Sequence, residues 1–383
     1  MENFDVIIIG AGSVGVPLSM FLAEKKVRVL VIDELPSFGQ GQNKAAIGGV
    51  RATHSDGSKI RVGLESIKIF SSWKSAFGDD IGWKKGGYLF PVYEERDEKM
   101  LKEMLRVQHS YGLEIKWINP EEVKELAPGI NPENLRGGTY SPKDGSASPL
   151  LAINAFYRRA KRLGARFAFG ERVVSVDRKG GSVCGVSTNK SRYSSPVVVN
   201  AAGAFAKEVS LLAGVDIPVR PDCHEAGICE PAETGIAPMI VDIRPQAKSK
   251  NYYFYPNSEN QIVFCLTPRP PMWGTDRNST SAFLPEVSRR MINLMPSLAS
   301  LRVRRIWRGL YPMTPDGFPI VDMPKYPEGY VIAAGMCGQG FMLGPGLGKI
   351  LSEIVTGRGD NKARAVIKNF RLSRNFSSEE KLK

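Results

Sequence analysis

The chain has 383 residues, 42% of them hydrophobic, and carries 52 Lys/Arg against 39 Asp/Glu, a formal net charge of +13. This length suits two domains around a sizeable core, one of them discontinuous, and no apolar run is long enough to cross a bilayer. Five cysteines (Cys184, Cys223, Cys229, Cys265 and Cys337) without a Cys-x-x-Cys pair argue against a disulfide framework and for reduced thiols in a cytoplasm; no secretory signal is visible, and the basic charge accompanies no recognised nucleic-acid-binding module.

Asp5 to Ile9 reads as a short buried strand, Gly10-Ala-Gly12-Ser-Val-Gly15 as a tight turn, Val16 to Lys25 as a helix, and Val27 to Ile32 as a second strand ending in Asp33-Glu34. This is a dinucleotide-binding βαβ unit in order. Gly10 permits the turn, Gly12 lets the backbone approach a pyrophosphate, and Gly15 lets the helix lie close to the sheet. Ser13 and Val14 stand at the helix mouth, where unpaired N–H groups and a partial positive charge face the phosphates. Asp33, eighteen residues past Gly15, can take the hydroxyls of an adenosine ribose, with Glu34 beside it.

Ser37 to Gly49 has the composition of a loop lying over a ligand. Helices are expected over Arg61 to Phe77, Glu94 to Tyr111, Pro120 to Leu126 and Leu150 to Leu163. Strands are expected over Gly86 to Val92, Ala165 to Phe169, Arg172 to Asp177, Val183 to Thr188 and Pro196 to Asn200. Asn200-Ala-Ala-Gly203-Ala-Phe205 then offers small residues where a backbone can pass close to a ligand. From Pro218 to Arg308, strand-like runs such as Tyr252 to Tyr255 and Gln261 to Leu266 alternate with Pro-rich turns, which suits an antiparallel sheet.

Cys223, His224 and Cys229 lie close in sequence but have no second ligand pair, so no metal site is expected. Gly329 to Gly335 reads as a buried strand. Gly338-Gln-Gly340-Phe341-Met342-Leu-Gly344-Pro-Gly346 leads into a helix reaching about Val355, with its anion-facing end near Gly344 to Leu347. Arg358 to Lys383 holds eight Lys/Arg and three Asp/Glu and is expected to be a solvated, partly frayed tail. Contact with another subunit or an anionic membrane face stays open.

Two glycine-lined helix mouths suit an extended cofactor with charge at its middle and at one end. Together with Thr314-Pro-Asp316-Gly-Phe-Pro319-Ile-Val321 and Gly335-Met-Cys-Gly338-Gln-Gly340, these segments resemble the D-amino-acid oxidase superfamily of FAD enzymes. Within it they look most like the sarcosine oxidase, glycine oxidase and dye-linked proline dehydrogenase (beta-subunit) group. The resemblance implies an α/β fold: a discontinuous Rossmann-like FAD-binding domain (1–80, 145–217 and 315–357), an α+β substrate domain with a mainly antiparallel sheet (81–144 and 218–314), and a basic tail (358–383). It places Gln42, Asn43 and Lys44 along the flavin, the backbone of Val173 or Val174 at the adenine, Gly203 near the cofactor, and Gly338, Gly340, Phe341 and Met342 at the pyrimidine end. Arg51 matches a residue that salt-bridges the substrate carboxylate, a task suited to a bidentate guanidinium. Tyr253 matches a tyrosine near the substrate.

Three departures carry weight. Gly309-Leu310-Tyr311 lacks the cysteine that attaches FAD in some members. Met342 stands where some place a basic residue. Phe264 falls near the position where a lysine promotes reaction with oxygen in some oxidases. The expected reaction is hydride transfer from a small amine or amino acid to flavin N5, with His54 and His224 as weak candidates for a base. A dehydrogenase passing electrons to a dye, quinone or partner subunit is expected ahead of a peroxide-forming oxidase. A flavin-binding subunit inactive on its own is a third reading.

Overall fold

The computed structural model describes residues 2–377 and 379–382. A six-stranded sheet runs in the order Ile320–Asp322, Tyr330–Ala334, Val198–Asn200, Val6–Ile9, Val29–Asp33 and Arg166–Phe169. Every pairing in it is parallel except that of Ile320–Asp322 with Tyr330–Ala334. Both faces of this sheet are covered, which is why its strands are apolar without alternation. Val6, Ile8, Val29 and Val31 pack among the helices Gly15–Glu24, Pro149–Arg162 and Gly340–Val355. Their neighbours Ile7, Ile9, Leu30 and Ile32 face the other way, onto Val173, Val176, Val183 and Val186 of a four-stranded sheet.

An eight-stranded sheet runs in the order Val303–Met313, Arg220–Pro231, Gln261–Pro268, Ser249–Pro256, Met239–Asp242, Tyr88–Val92, Gly137–Ser141 and Lys116–Ile118. It is antiparallel throughout except where Met239–Asp242 meets Tyr88–Val92. The α/β class and the mainly antiparallel second sheet agree with the sequence reading.

Two expectations need correction. The last glycine-rich helix begins at Gly340, so Gly344-Pro345-Gly346 lies inside it rather than at its mouth. A Cβ at Gly344 would sit 2.0 Å from the Ser13 carbonyl oxygen, one at Gly346 2.3 Å from that of Val62, and one at Gly348 2.8 Å from the Leu18 nitrogen. These glycines are the face on which the helix meets its two neighbours backbone to backbone. The second correction concerns the tail. Asn361–Lys368 is a helix capped by Asp360, Phe370 is buried, and Arg374 pairs with the buried Asp316 at 2.7 Å. Apolar positions on that helix (Ala363, Val366 and Ile367) bury against the helices of the first sheet, which a count of charges does not register. Ser378 and Lys383 lie outside the described residues.

Candidate functional site

One cavity of about 850 Å³ runs between the two large sheets, toward the upper end of the roughly 300–1,000 Å³ usual for a ligand pocket. Gly10, Gly12, Ser13 and Val14 line it, and so do Gly338, Gly340, Phe341 and Met342, so both helix mouths open on the same space. Asp33, Glu34, Gln42, Asn43, Arg51, Val173, Val174, Gly203 and Tyr253 line it too.

The glycines at the first mouth have different tasks. Gly10 has φ of 110°, and a Cβ there would lie 2.4 Å from the Ala201 carbonyl oxygen. Gly15 packs on the Gly10 carbonyl and does not line the cavity. A Cβ at Gly12 or Gly203 would meet no protein atom within 4 Å. These positions are bare toward open space, as a backbone that must admit a ligand would be. The first-turn N–H groups of the Gly340–Val355 helix have no intrahelical acceptor. At the Gly15–Glu24 helix Val16 N donates to the Gly12 carbonyl and Pro17 has no N–H, so the N–H groups that can face a ligand there are those ahead of Val16. The N-cap residues Val14 and Gln339 both line the cavity. Two partial positive charges therefore face one volume.

Asp33 is engaged by the backbone. Its carboxylate accepts from Ala11 N at 2.7 Å and Leu35 N at 2.9 Å, and burial raises its pKa against those two bonds. It ties the glycine turn to the end of the second strand. Glu34 is exposed on the cavity rim. Gln42 accepts from Leu310 N at 2.7 Å, and Asn43 accepts from Ser13 Oγ at 2.9 Å while donating to the Pro149 carbonyl. Both therefore fix the loop onto the two sides of the cavity. Lys44 does not line the cavity: it is exposed and bonds to Gln40, because the short 3-10 turn Asn43–Ala45 points it outward.

Arg51 also lines the cavity, buried among Tyr88, Phe90 and Met239, with its guanidinium 5.7 Å from the Phe90 ring centre. Its Nη1 donates to the Thr53 carbonyl and its Nη2 to the Leu382 carbonyl. Beneath it Asp144 accepts from Ala52 N and Thr53 Oγ1, and burial pushes its carboxyl up to about 6. Tyr253 shares a 2.7 Å hydrogen bond with Tyr311, and burial holds both phenols protonated. Tyr311 stacks on His224 at 3.7 Å between ring centres, and His224 Nε2 lies 3.0 Å from Asp222. The Tyr311 ring fills the place a Cβ at Gly338 would take, 2.1 Å away.

His224 thus faces the cavity. His54 does not: it is fully buried beside Arg51 and Lys59, and burial and those cations hold its pKa well below normal. Phe264 also points away, into the core against Phe283, and strand alternation turns Cys265 to the cavity instead. Tyr311 and Leu382 gave no local sequence signal, since partners 58 and 331 residues away position them. Among the described residues no group of three or more His, Cys, Asp or Glu is arranged to hold a metal ion, and no helix is long and apolar enough to cross a membrane.

The family model described as FAD dependent oxidoreductase (DAO) matches residues 5–354. The solved L-proline dehydrogenase from P. horikoshii superposes with a TM-score of 0.88 at 30% identity, covering 94% of this chain and 95% of that one. A glycine oxidase of Geobacillus kaustophilus is 25% identical over 363 residues, covering 92% of this chain and 93% of that protein. The mitochondrial dimethylglycine dehydrogenase of Rattus norvegicus is 25% identical, but the chain spans only 43% of that protein's length.

Proposed function

The chain belongs to the FAD-dependent oxidoreductase family and takes FAD as its cofactor, and we propose that it is a dehydrogenase oxidising the C–N bond of a small secondary amino acid, proline- or sarcosine-like. The observation that carries this reading is Arg51: a buried guanidinium on the apolar wall of the same cavity onto which the two helix mouths open.

The residues fit the cofactor. Gly12, Ser13 and Val14 would receive the pyrophosphate, Glu34 the ribose, Val173 and Val174 the adenine, and Gly338 to Met342 the pyrimidine edge. Asp33 serves the ribose indirectly, by holding the turn. On this assignment the six-stranded sheet carries the cofactor (1–80, 145–217 and 315–357) and the eight-stranded sheet the substrate (81–144 and 218–314). Bound there, FAD supplies a hydride acceptor for the carbon that bears the amine.

The chain's own residues do the rest. Arg51 pairs with the substrate carboxylate and fixes which carbon faces the ring. Tyr88, Phe90, Met239 and Val241 exclude water, which disfavours the ammonium form and favours the neutral amine that can give up a hydride. Tyr253 and Tyr311 keep their protons and offer one donor between them. The N-terminus at Gly340, which opens on the cavity, would hold the pyrimidine edge of the cofactor and favour negative charge there.

A dehydrogenase is favoured over an oxidase because no lysine is among the described residues that line the cavity. The test is an anaerobic screen of amines against the yellow protein, followed by reoxidation with oxygen or with a dye. Bleaching by a secondary amino acid and faster reoxidation by the dye are expected. No bleaching by any amino acid removes the reading, and faster reoxidation by oxygen makes it an oxidase.

A further inference from the structure

The guanidinium assigned to the substrate carboxylate already has a partner from the far end of the chain. Leu382 gives its carbonyl to Arg51 Nη2, and its side chain packs with Tyr88, Phe90 and Met239 on the cavity wall. Two residues earlier, Glu380 is buried and pairs with Lys59 at 3.1 Å, both side chains being fully shielded from solvent.

The Glu380 carboxylate also accepts from Ser55 N at 3.0 Å, Ser55 Oγ at 2.6 Å and Leu382 N at 3.1 Å. Its own N–H donates to the Asp316 carbonyl, and Lys381 N donates to Ser55 Oγ. Lys59 is held in turn by the Gly317 carbonyl at 3.0 Å. A segment with a buried anion, a matched buried cation and this many hydrogen bonds is docked, not draped. Its apolar tip lies where a substrate's carboxylate has to arrive.

We propose that Glu379–Leu382 is a latched strap over the substrate pocket. Glu380 is the positioning residue that holds the Leu382 carbonyl on Arg51, and a carboxylate ligand must displace that carbonyl to bind. The proposal rests on the carboxylate-binding role of Arg51. A charged carboxylate outcompetes a neutral carbonyl for a guanidinium, since it adds the attraction between two full charges and can accept two parallel bonds, so the strap yields to substrate and closes again once product leaves. While closed it lowers apparent affinity by the fraction of molecules in which Arg51 is free. The strap tip also completes the apolar wall, so its loss opens the pocket to water.

The test uses the FAD-loaded protein and cyclopentanecarboxylate, a carboxylate with no amine to oxidise, followed through the flavin spectrum in stopped flow. Glu380→Gln removes the latch charge. A second variant ends the chain after Phe376, which keeps the Arg374–Asp316 pair. Both are expected to bind the probe faster and at least about fivefold more tightly than the parent, and to show a lower KM together with a lower kcat for the amino-acid substrate. Adding Arg51→Ala to the shortened chain should abolish the gain.

Unchanged or weaker binding in both variants, with a parent that still turns over amino acids, overturns the strap alone. If neither parent nor shortened chain binds any carboxylate, the role of Arg51 falls with it.

Discussion

Replacing Gly12 by alanine separates the demands of the fold from those of the cofactor. A Cβ there meets no protein atom within 4 Å, and Gly12 is not among the glycines in the left-handed region, so alanine fits the protein without strain. The cofactor-free variant should be as stable as the parent or up to about 1 kcal/mol more so, because alanine narrows the unfolded ensemble. The same methyl group projects into the space assigned to the pyrophosphate. Keeping the phosphate off one or two backbone N–H groups forfeits charge-assisted bonds of about 1.5–3 kcal/mol each, so the Kd for FAD should rise about 10- to 150-fold for each bond lost. The assay is a pair of measurements on cofactor-stripped protein: thermal unfolding by circular dichroism, and FAD titration by fluorescence quenching. Gly10→Ala is the control, because its Cβ would strike the Ala201 carbonyl at 2.4 Å and should damage folding itself. A Gly12→Ala protein that melts several degrees lower, or binds FAD as tightly as the parent, would refute the reasoning.

Other perturbations test the remaining parts. Arg51→Ala should raise the KM for an amino acid about 10- to 100-fold with FAD content unchanged; an unaltered KM takes Arg51 out of the site. Gly344→Ala forces a methyl group against the Ser13 carbonyl and should lower stability by about 1–3 kcal/mol, whereas Gly340→Ala, with Met336 at an ordinary 3.5 Å, should stay within about 0.5 kcal/mol; equal denaturant midpoints would contradict the contact. Asp144 has a folded pKa of about 6 against an ordinary 3.8. The folded state therefore holds this proton more tightly, and stability from this group falls as pH rises from about 4 through about 6. Asp144→Asn should remove up to about 3 kcal/mol of that slope. Glu380 acts in the opposite sense. Against burial, which raises it, the Lys59 ammonium and the Ser55 hydroxyl hold its pKa far below the ordinary 4.5, so its contribution is present above that value and is lost as the solution is acidified below it. Urea midpoints across this range for Asp144→Asn and Glu380→Gln separate the two slopes.

The six-stranded sheet and the glycine turn beside it were legible because local rules suffice there. Val6–Ile9 is short, apolar and followed by glycines whose spacing has a steric reason, and the second mouth repeats the pattern. The eight-stranded sheet was less so. Val303–Met313 carries three exposed residues at its start, and Arg220–Pro231 buries Asp222, His224 and Glu225, so neither shows clean alternation. Those polar groups are tolerated because long-range partners satisfy them: Thr280 for Glu225, and the Met272 N–H for Asp222. Gly344-Pro345-Gly346 looked like a helix boundary because Gly and Pro usually punctuate. Here Pro345 lies just past the first turn, and the glycines answer to the backbones of neighbouring helices. The docking of Glu380 on Lys59 joins residues more than three hundred positions apart, and no window along the chain contains both.

The glycine face of the Gly340–Val355 helix bears on how the protein keeps its dimensions. The Ser13 carbonyl and the Gly344 main chain touch with no side chain between them. Rotamer changes therefore cannot alter the gap between the two helix ends that open on the cavity. The distance is gauged by peptide units alone, as in a caliper with fixed jaws, and it should hold its setting on warming for as long as the two helices themselves survive.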